Sequence, residues 1–297
     1  MSSVLVTGSS SGFGDLIARS LATRGHHVYA SMRATAGKNI TAAQRLADWA
    51  TAHGHALRVV DLDVTSDASV GAAVEAVLAS EDGLDAVVNN AGASAMGPLE
   101  AFTIAQMTAL LDLNVLGPMR VNKAVLPAMR ARRAGLIVWV TSTLGRVLPG
   151  RGGLYPATKW AAEGFAESLH HQVAPFGIDV VILEPGSFPT PATFKAMNAE
   201  EAAVVSAYAG IAPPPRGTHP IDPAYRPPDP QDVADAVLEL VELPAGKRPL
   251  RRVVGPVFTE GVAEYNQTYG RVRAHLEEVL RRPDQAITWT RQPAPRP

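Results

Sequence analysis

The run Val4-Leu5-Val6-Thr7-Gly8-Ser9-Ser10-Ser11-Gly12-Phe13-Gly14 decides how the rest of the chain is read. Its first three residues are aliphatic, two of them β-branched, and predict a short strand. Residues 15–24 have the composition of a helix, so the glycines and serines between them occupy a strand-to-helix turn. Gly8 permits the tight turn, Gly12 lets backbone approach a pyrophosphate, and Gly14 allows the helix to pack closely. The first N–H groups of that helix are free to bind an anion, and Ser9, Ser10 and Ser11, close to Phe13, add hydroxyl donors. Gly and Ser also make ordinary loops. The position at a strand-helix junction, at the head of an α/β chain, is what makes a nucleotide site the expectation.

Outward from this turn the pattern repeats. Strand-like runs fall at 28–31, 56–62, 86–89, 136–141 and 180–183, separated by helical stretches at 41–53, 66–80, 104–132 and 156–174. Such alternation predicts a parallel sheet with helices on both faces. Composition changes near Thr190, where ten prolines within residues 189–230 bracket one helical stretch at 199–208. A Pro-rich insertion of that length, at 191–229, predicts a substrate lid. A helix at 231–243, a strand at 252–254 and one or two helices at 257–281 follow. The expected organisation is one domain over 1–255, then a helical extension over 256–297 whose last seven residues are a disordered tail. In the extension, Tyr265, Tyr269, Val272, Leu276 and Val279 form an apolar face that could cover the substrate cleft or make a subunit contact, with core packing as the plainest expectation.

Composition removes several classes of function. With 297 residues, 46% of them hydrophobic, the chain can bury a large core. The net charge of -1 and scattered basic residues leave no electrostatic footprint for nucleic acid or an anionic membrane. The absence of cysteine excludes disulfides, thiol catalysis and Cys-based zinc sites. The histidine pairs His26-His27 and His170-His171 are adjacent and diverge, so no metal is expected. The first strand begins at once, leaving no room for a signal peptide, and no apolar run reaches the ~20 residues of a membrane helix. A cytoplasmic protein is expected.

Chemistry is most legible at Tyr155 and Lys159, which stand at i and i+4 and therefore share a helix face, with Ser142 thirteen residues upstream. A phenol titrates near ~10, and a neighbouring cation helps it ionise nearer neutrality. For the nucleotide, the end of the second strand is informative. An acid there binds the ribose hydroxyls of NAD, yet residues 16–47 contain no Asp or Glu. Arg33 stands there instead, placed to hold a 2′-phosphate by paired hydrogen bonds, with Ser31 beside it.

With Asn89-Asn90-Ala91-Gly92, Asn114, Ser142, Tyr155 and Lys159 in order after the glycine turn, the chain resembles a classical short-chain dehydrogenase/reductase over residues 4–190, and more loosely to Gly255. The resemblance implies a Rossmann-type doubly wound α/β sheet. It implies that Tyr155 is the general acid in reduction and the base in oxidation. Lys159 would lower the phenol's pKa and bind the nicotinamide ribose, and Ser142 would bond the substrate oxygen. Asn114 would hold a water linking Lys159 to solvent. Asp63 would accept from the adenine amino group with Val64 flanking the ring, and Asn90, Ala91 and Gly92 would pass beneath the adenosine ribose. Pro185, Gly186, Phe188 and Thr190 match the segment facing the nicotinamide carboxamide and a phosphate. Met96, Leu148, Arg151, Phe188, Phe194 and Tyr208 lie in segments that rim the substrate cavity of such proteins. Pro156, directly after the tyrosine, is unusual and is expected to mark the start of its helix.

The expected function is an NADP(H)-dependent oxidoreductase, preferring NADP(H) over NAD(H), that interconverts a ketone or aldehyde with an alcohol. Two alternatives stay open: an NAD-dependent alcohol dehydrogenase of the same family, and a nucleotide-sensing protein without catalysis. In relatives the helices at 104–132 and around Lys159 form the subunit interface, so a homodimer or homotetramer is expected by analogy.

Overall fold

Residues alternate between the two faces of the central sheet, and each face has its own helical cover. The computed structural model describes residues 1–79, 83–148, 153–190, 196–210, 228–255 and 259–281. Its elements run β1 (Ser3–Val6), α1 (Gly12–Thr23), β2 (His27–Met32), α2 (Ile40–His53), β3 (Leu57–Asp61), α3 (Asp67–Leu78) and β4 (Ala86–Asn89). Then come β5 (Ala95–Met96), α4 (Ile104–Leu111), a π turn (Asp112–Leu116), α5 (Gly117–Arg132), β6 (Gly135–Val140), α6 (Leu154–Val173) and β7 (Ile178–Pro185). Last are β8 (Met197–Asn198), α7 (Ala202–Ala207), α8 (Gln231–Glu242), β9 (Arg251–Val254) and α9 (Thr259–Arg281).

Seven strands pair in parallel in the order β3-β2-β1-β4-β6-β7-β9. The order reverses between β1 and β4, and a crevice at the carboxyl ends of such strands is where doubly wound sheets bind ligands. Because side chains alternate along a strand, Val4, Val6, Ala30, Val138 and Leu183 face one side with Ile17, Leu21, Val233 and Val237 of α1 and α8. Leu5, Val87, Ile137, Trp139 and Ile182 face the other, under α3, α5 and α6. Each fully buried Val or Leu contributes about 1.5–3 kcal/mol relative to exposure, so two complete layers fix the register.

The single helix expected over 104–132 is interrupted. The cause is Pro118, whose missing N–H and ring deny the carbonyl of Asn114 its α-helical partner. The backbone widens at Asp112–Leu116, with the Gly117 N–H reaching the Asp112 carbonyl. The helix expected from Pro156 starts at Leu154, with the proline in its first turn, where no N–H is needed.

Near the expected lid, a pair of two-residue strands was not legible in the sequence. Ala95 pairs with Met197 and Met96 with Asn198, and Gln106 Nε2 donates to the Asn198 carbonyl at 2.8 Å. Around them Phe102, Leu110 and Leu154 form a small separate core with Met197 and Ala199. The remaining lid residues, 191–195 and 211–227, the tail, and the rim candidates Arg151 and Phe194 lie outside the described residues.

The core expected on the C-terminal extension is not observed. Val272 is 63% exposed and Leu276 54%, while Tyr269 turns inward. Helix α9 buries Val262 near its start and otherwise attaches through Tyr265, Asn266 and Tyr269, because the surface it meets there is charged. No helix among the described residues is long and apolar enough to cross a membrane.

Candidate active site

The ends of five strands, β1, β2, β4, β6 and β7, carry the candidate site. At β1, Gly8 (φ +74°) and Gly12 (φ +60°) adopt the left-handed backbone that the turn into α1 requires. A Cβ on Gly8 would lie 2.8 Å from Ala91 Cα, and one on Gly14 would overlap the Gly8 carbonyl and stand 2.6 Å from Asn90 Nδ2. The Asn90 amide donates to the Thr7 carbonyl at 2.8 Å, and the Thr7 hydroxyl accepts from the backbone of Asn90 and Ala91, each at 3.0 Å. These bonds lash the glycine turn to the end of β4. Ser11 caps α1 without a side-chain bond, so the first N–H groups of a twelve-residue helix are left for an anion, with Ser10 and Ser11 half-buried alongside. The residues present therefore fit the phosphates of a dinucleotide.

At the end of β2, Arg33 is half exposed and stands 3.8 Å from Asp63, too far for a tight pair. The other arginines are engaged: Arg19 and Arg45 with Asp15, at 3.2 and 3.1 Å, and Arg24 with Glu242 at 2.8 Å. Lys38 also acts on Asp63. The Asp63 carboxylate accepts from the Thr65 N–H and hydroxyl at 3.0 and 2.7 Å, and it is held below the usual carboxylate range despite its burial. Asp61 is likewise engaged, by Thr35 at 2.6 and 2.8 Å. Two cofactor expectations change here. The Val64 side chain is buried against Gly117, and Ser31 is buried entirely, so neither side chain faces the cleft.

The segment after β7 also differs from expectation. Gly186 N–H bonds the Val254 carbonyl at 2.8 Å and Thr190 is buried. Phe188 is drawn into the core, its ring edge-on to Phe13 at 5.5 Å and closing over Gly255. It lines the core and not a substrate cavity, because an apolar ring beside Phe13 gains more from burial than from the rim. Met96 and Leu148 stay about half exposed, and Tyr208 donates to Glu100 at 2.7 Å.

Ser142, Tyr155 and Lys159 meet where β6 ends and α6 begins. The Ser142 hydroxyl accepts from the Leu144 N–H at 3.2 Å and bonds the Tyr155 phenol. Burial pushes that phenol up to about 12, and the serine bond only partly offsets it. The expected lowering by Lys159 is absent, since the ammonium donates to the Val140 carbonyl at 3.0 Å and stands 5.6 Å from the tyrosine ring centre. Burial in turn pulls Lys159 down to about 8, against an opposing pull from Glu163. Asn114 spends its amide on the Ala93 backbone, at 2.9 and 3.0 Å, and on Thr158 at 2.9 Å. Thr158 donates onward to the Tyr155 carbonyl at 2.8 Å. The asparagine thus ties Ala93, just past the Asn90-Ala91-Gly92 segment, to the first turn of α6; Gly92 lies against its oxygen.

Two groups beside the site were overlooked in the sequence. Glu163 continues the Tyr155 and Lys159 face by one more turn, so an acid at i+4 from the lysine was readable in the sequence. Arg251, which contacts it at 3.4 Å, comes from a distant strand and had no local signal.

The model of the family described as short chain dehydrogenase matches residues 2–201. The chain belongs to this family. Among curated relatives of this short-chain dehydrogenase, 3-ketodihydrosphingosine reductase of Bacteroides thetaiotaomicron is 36% identical over 63% of the chain and 64% of that protein. Retinol dehydrogenase 8 of Homo sapiens is 35% identical over 84% of the chain and 80% of its own length. The Bos taurus protein of that name is 40% identical, and the chain spans 59% of its length. The chain thus spans less than two thirds of the first two relatives it matches, from Bacteroides and Bos taurus. Among solved structures, a short-chain dehydrogenase from Streptomyces avermitilis superposes with a TM-score of 0.70 at 32% identity, covering 93% of this chain and 96% of that one. Actinorhodin polyketide ketoreductase with NADPH gives 0.69 at 27%, covering 85% and 94%. The family is one that uses nicotinamide cofactors.

Proposed function

We propose that the protein is an NADP(H)-dependent oxidoreductase that interconverts a ketone or aldehyde with an alcohol on an apolar substrate. The observation that carries this reading is the meeting of Ser142, Tyr155 and Lys159 at one strand end beside the glycine turn. When bound, the nicotinamide cofactor supplies or accepts the hydride. Tyr155, kept protonated by burial, gives its phenolic proton to the substrate oxygen, and Ser142 holds that oxygen in place. In the reverse direction Tyr155 takes the proton. For that, Lys159 must release the Val140 carbonyl and bring its charge to the phenolate, which stabilises the anion. Asn114, whose carbonyl has lost its α-helical donor at Pro118, holds the water through which Lys159 is recharged.

The half-exposed Arg33, with no acid in residues 16–47, supports binding of a 2′-phosphate. Several similar structures are described with NADP or NADPH, among them an alcohol dehydrogenase from Thermococcus sibiricus with 5-hydroxy-NADP. An apolar substrate is supported by the exposed Met96, Leu99, Val147 and Leu148, and by relatives named for retinol and 3-ketodihydrosphingosine. Leu111, Leu116, Trp160 and Phe165, each about two-fifths exposed around the two helices expected to meet in an oligomer, support a homo-oligomer.

The test is reduction of a panel of long-chain and aromatic ketones and aldehydes by purified protein with NADPH or NADH. Turnover with NADPH, lost in Tyr155→Phe, is the expected result. No turnover on any member with either cofactor removes the reading.

A further inference from the structure

Behind the site lies a seam of buried charge. The Arg251 guanidinium reaches three carboxylates: Nε stands 3.4 Å from Glu163 and 3.3 Å from Glu184, and Nη2 donates to Glu167 at 2.7 Å. Arg146, 7% exposed, lies between the rings of Tyr265 and Tyr269 at 4.6 and 4.7 Å and stands 3.6 Å from Glu163. From α9, Asn266 accepts from Arg146 Nε at 2.8 Å and donates to Glu184 at 2.5 Å. Helix α9 therefore closes the seam from outside. Isolated charges are costly in such a place, and their retention calls for a reason.

Lys159 supplies one. A lysine this deep sheds its proton unless an anion holds it, and the charge on Glu163 opposes that loss. The two lie at i and i+4 of α6, on one buried face. Glu163 itself is pushed up by burial and pulled back by Arg251, Arg146 and the Thr141 hydroxyl, which donates at 3.2 Å. The remaining charged groups near it are Glu184 of β7 and Glu167 of α6, and Tyr269 and Arg273 of α9 act through Glu167. Burial and the neighbouring Glu163 together push Glu184 up to about 8. At neutral pH this leaves Arg251 to Glu163 and Glu167.

We propose that Glu163 is a positioning residue for Lys159: its carboxylate, locked by Arg251, Arg146 and Thr141, keeps the buried ammonium charged and seated on the Val140 carbonyl. The proposal rests on the catalytic reading of Lys159 only for its effect on turnover. Its primary test needs no substrate.

Competitive acylation followed by mass spectrometry gives the proton affinity of Lys159 in the cofactor-free protein. In Glu163→Gln that affinity falls roughly tenfold, while Glu163→Asp, which keeps the charge, restores most of it. Thr141→Val, which removes one donor to Glu163, moves Lys159 the same way by about two- to threefold and serves if Glu163→Gln does not fold. An unchanged Lys159 in a folded Glu163→Gln, or in Thr141→Val, overturns the proposal and leaves Glu163 a structural acid. The alkaline limb of kcat, measured in parallel, moves to lower pH with Lys159. If Lys159 moves and that limb does not, the role of Glu163 stands and the catalytic reading of Lys159 is lost.

Discussion

The two halves of the cleft are built from opposite materials. Beside β1 and β4, the glycine turn is held by backbone groups, the Thr7 hydroxyl and the Asn90 amide, and its nearest arginine is half exposed. Beside β6, β7 and β9, three carboxylates and two guanidinium groups are packed under α9. The difference follows from what each half receives. A crevice that takes a phosphate-bearing ligand must stay neutral and unfilled until the ligand brings its charge. A seam that receives nothing must balance its own charges completely.

The largest effect is expected where the halves meet. Tyr155→Phe removes one oxygen without disturbing either wall, and kcat with NADPH falls about 10³-fold while thermal stability is kept. A comparable loss of stability would show the phenol to be part of the seam's structure and not of the chemistry.

On the neutral side, shape matters more than charge. Gly14→Val drives a side chain into the Gly8 carbonyl and Asn90, and stability drops by about 2–3 kcal/mol in chemical denaturation, with NADPH binding lost in fluorescence titration. Arg33→Ala tests the half-exposed guanidinium on that side. It raises the KM for NADPH by about ten- to a hundredfold and leaves that for NADH nearly unchanged; equal effects on both would remove the arginine from cofactor selection.

The smallest effect belongs to the charged side and appears as a pH dependence. Glu184 is raised from 4.5 to about 8, so the folded state holds a proton that the unfolded state has released. Its contribution is full below 4.5 and is lost as pH rises through about 8. Scanning calorimetry should show the midpoint of Glu184→Gln, relative to the parent, gaining with pH across that window, by a few degrees. A constant offset would mean that Glu184 is ionised throughout.

The same division governs what could be read from the sequence. Strand, turn and helix around Gly8 are local, as is the i, i+4 relation of Tyr155 and Lys159. Glu163 apart, the seam was not legible, because Arg146, Glu184, Arg251 and Asn266 come from distant parts of the chain and each reads alone as a surface residue. For that reason α9 was expected to pack by its apolar stripe, and Val272 and Leu276 face outward instead. Phe188 and Val64 were misplaced because a motif fixes a backbone position, while neighbours such as Phe13 and Gly117 decide where the side chain turns. Pro118 was in view, yet a helix pattern on both sides of it hid the π turn.

That turn sets a rule for insertions and deletions. One residue of an α-helix is worth about 100° of rotation, so the slip at Asp112–Leu116 lets Leu110 of α4 point into the small core of Phe102 and Leu154 while Val121 and Val125 of α5 point into the sheet. Shortening this stretch by one residue would restore a regular helix and turn one of those two faces out of alignment. The irregularity works as a phase shifter between two cores, and Asn114 apart, the chain tolerates substitutions there better than any change in its length.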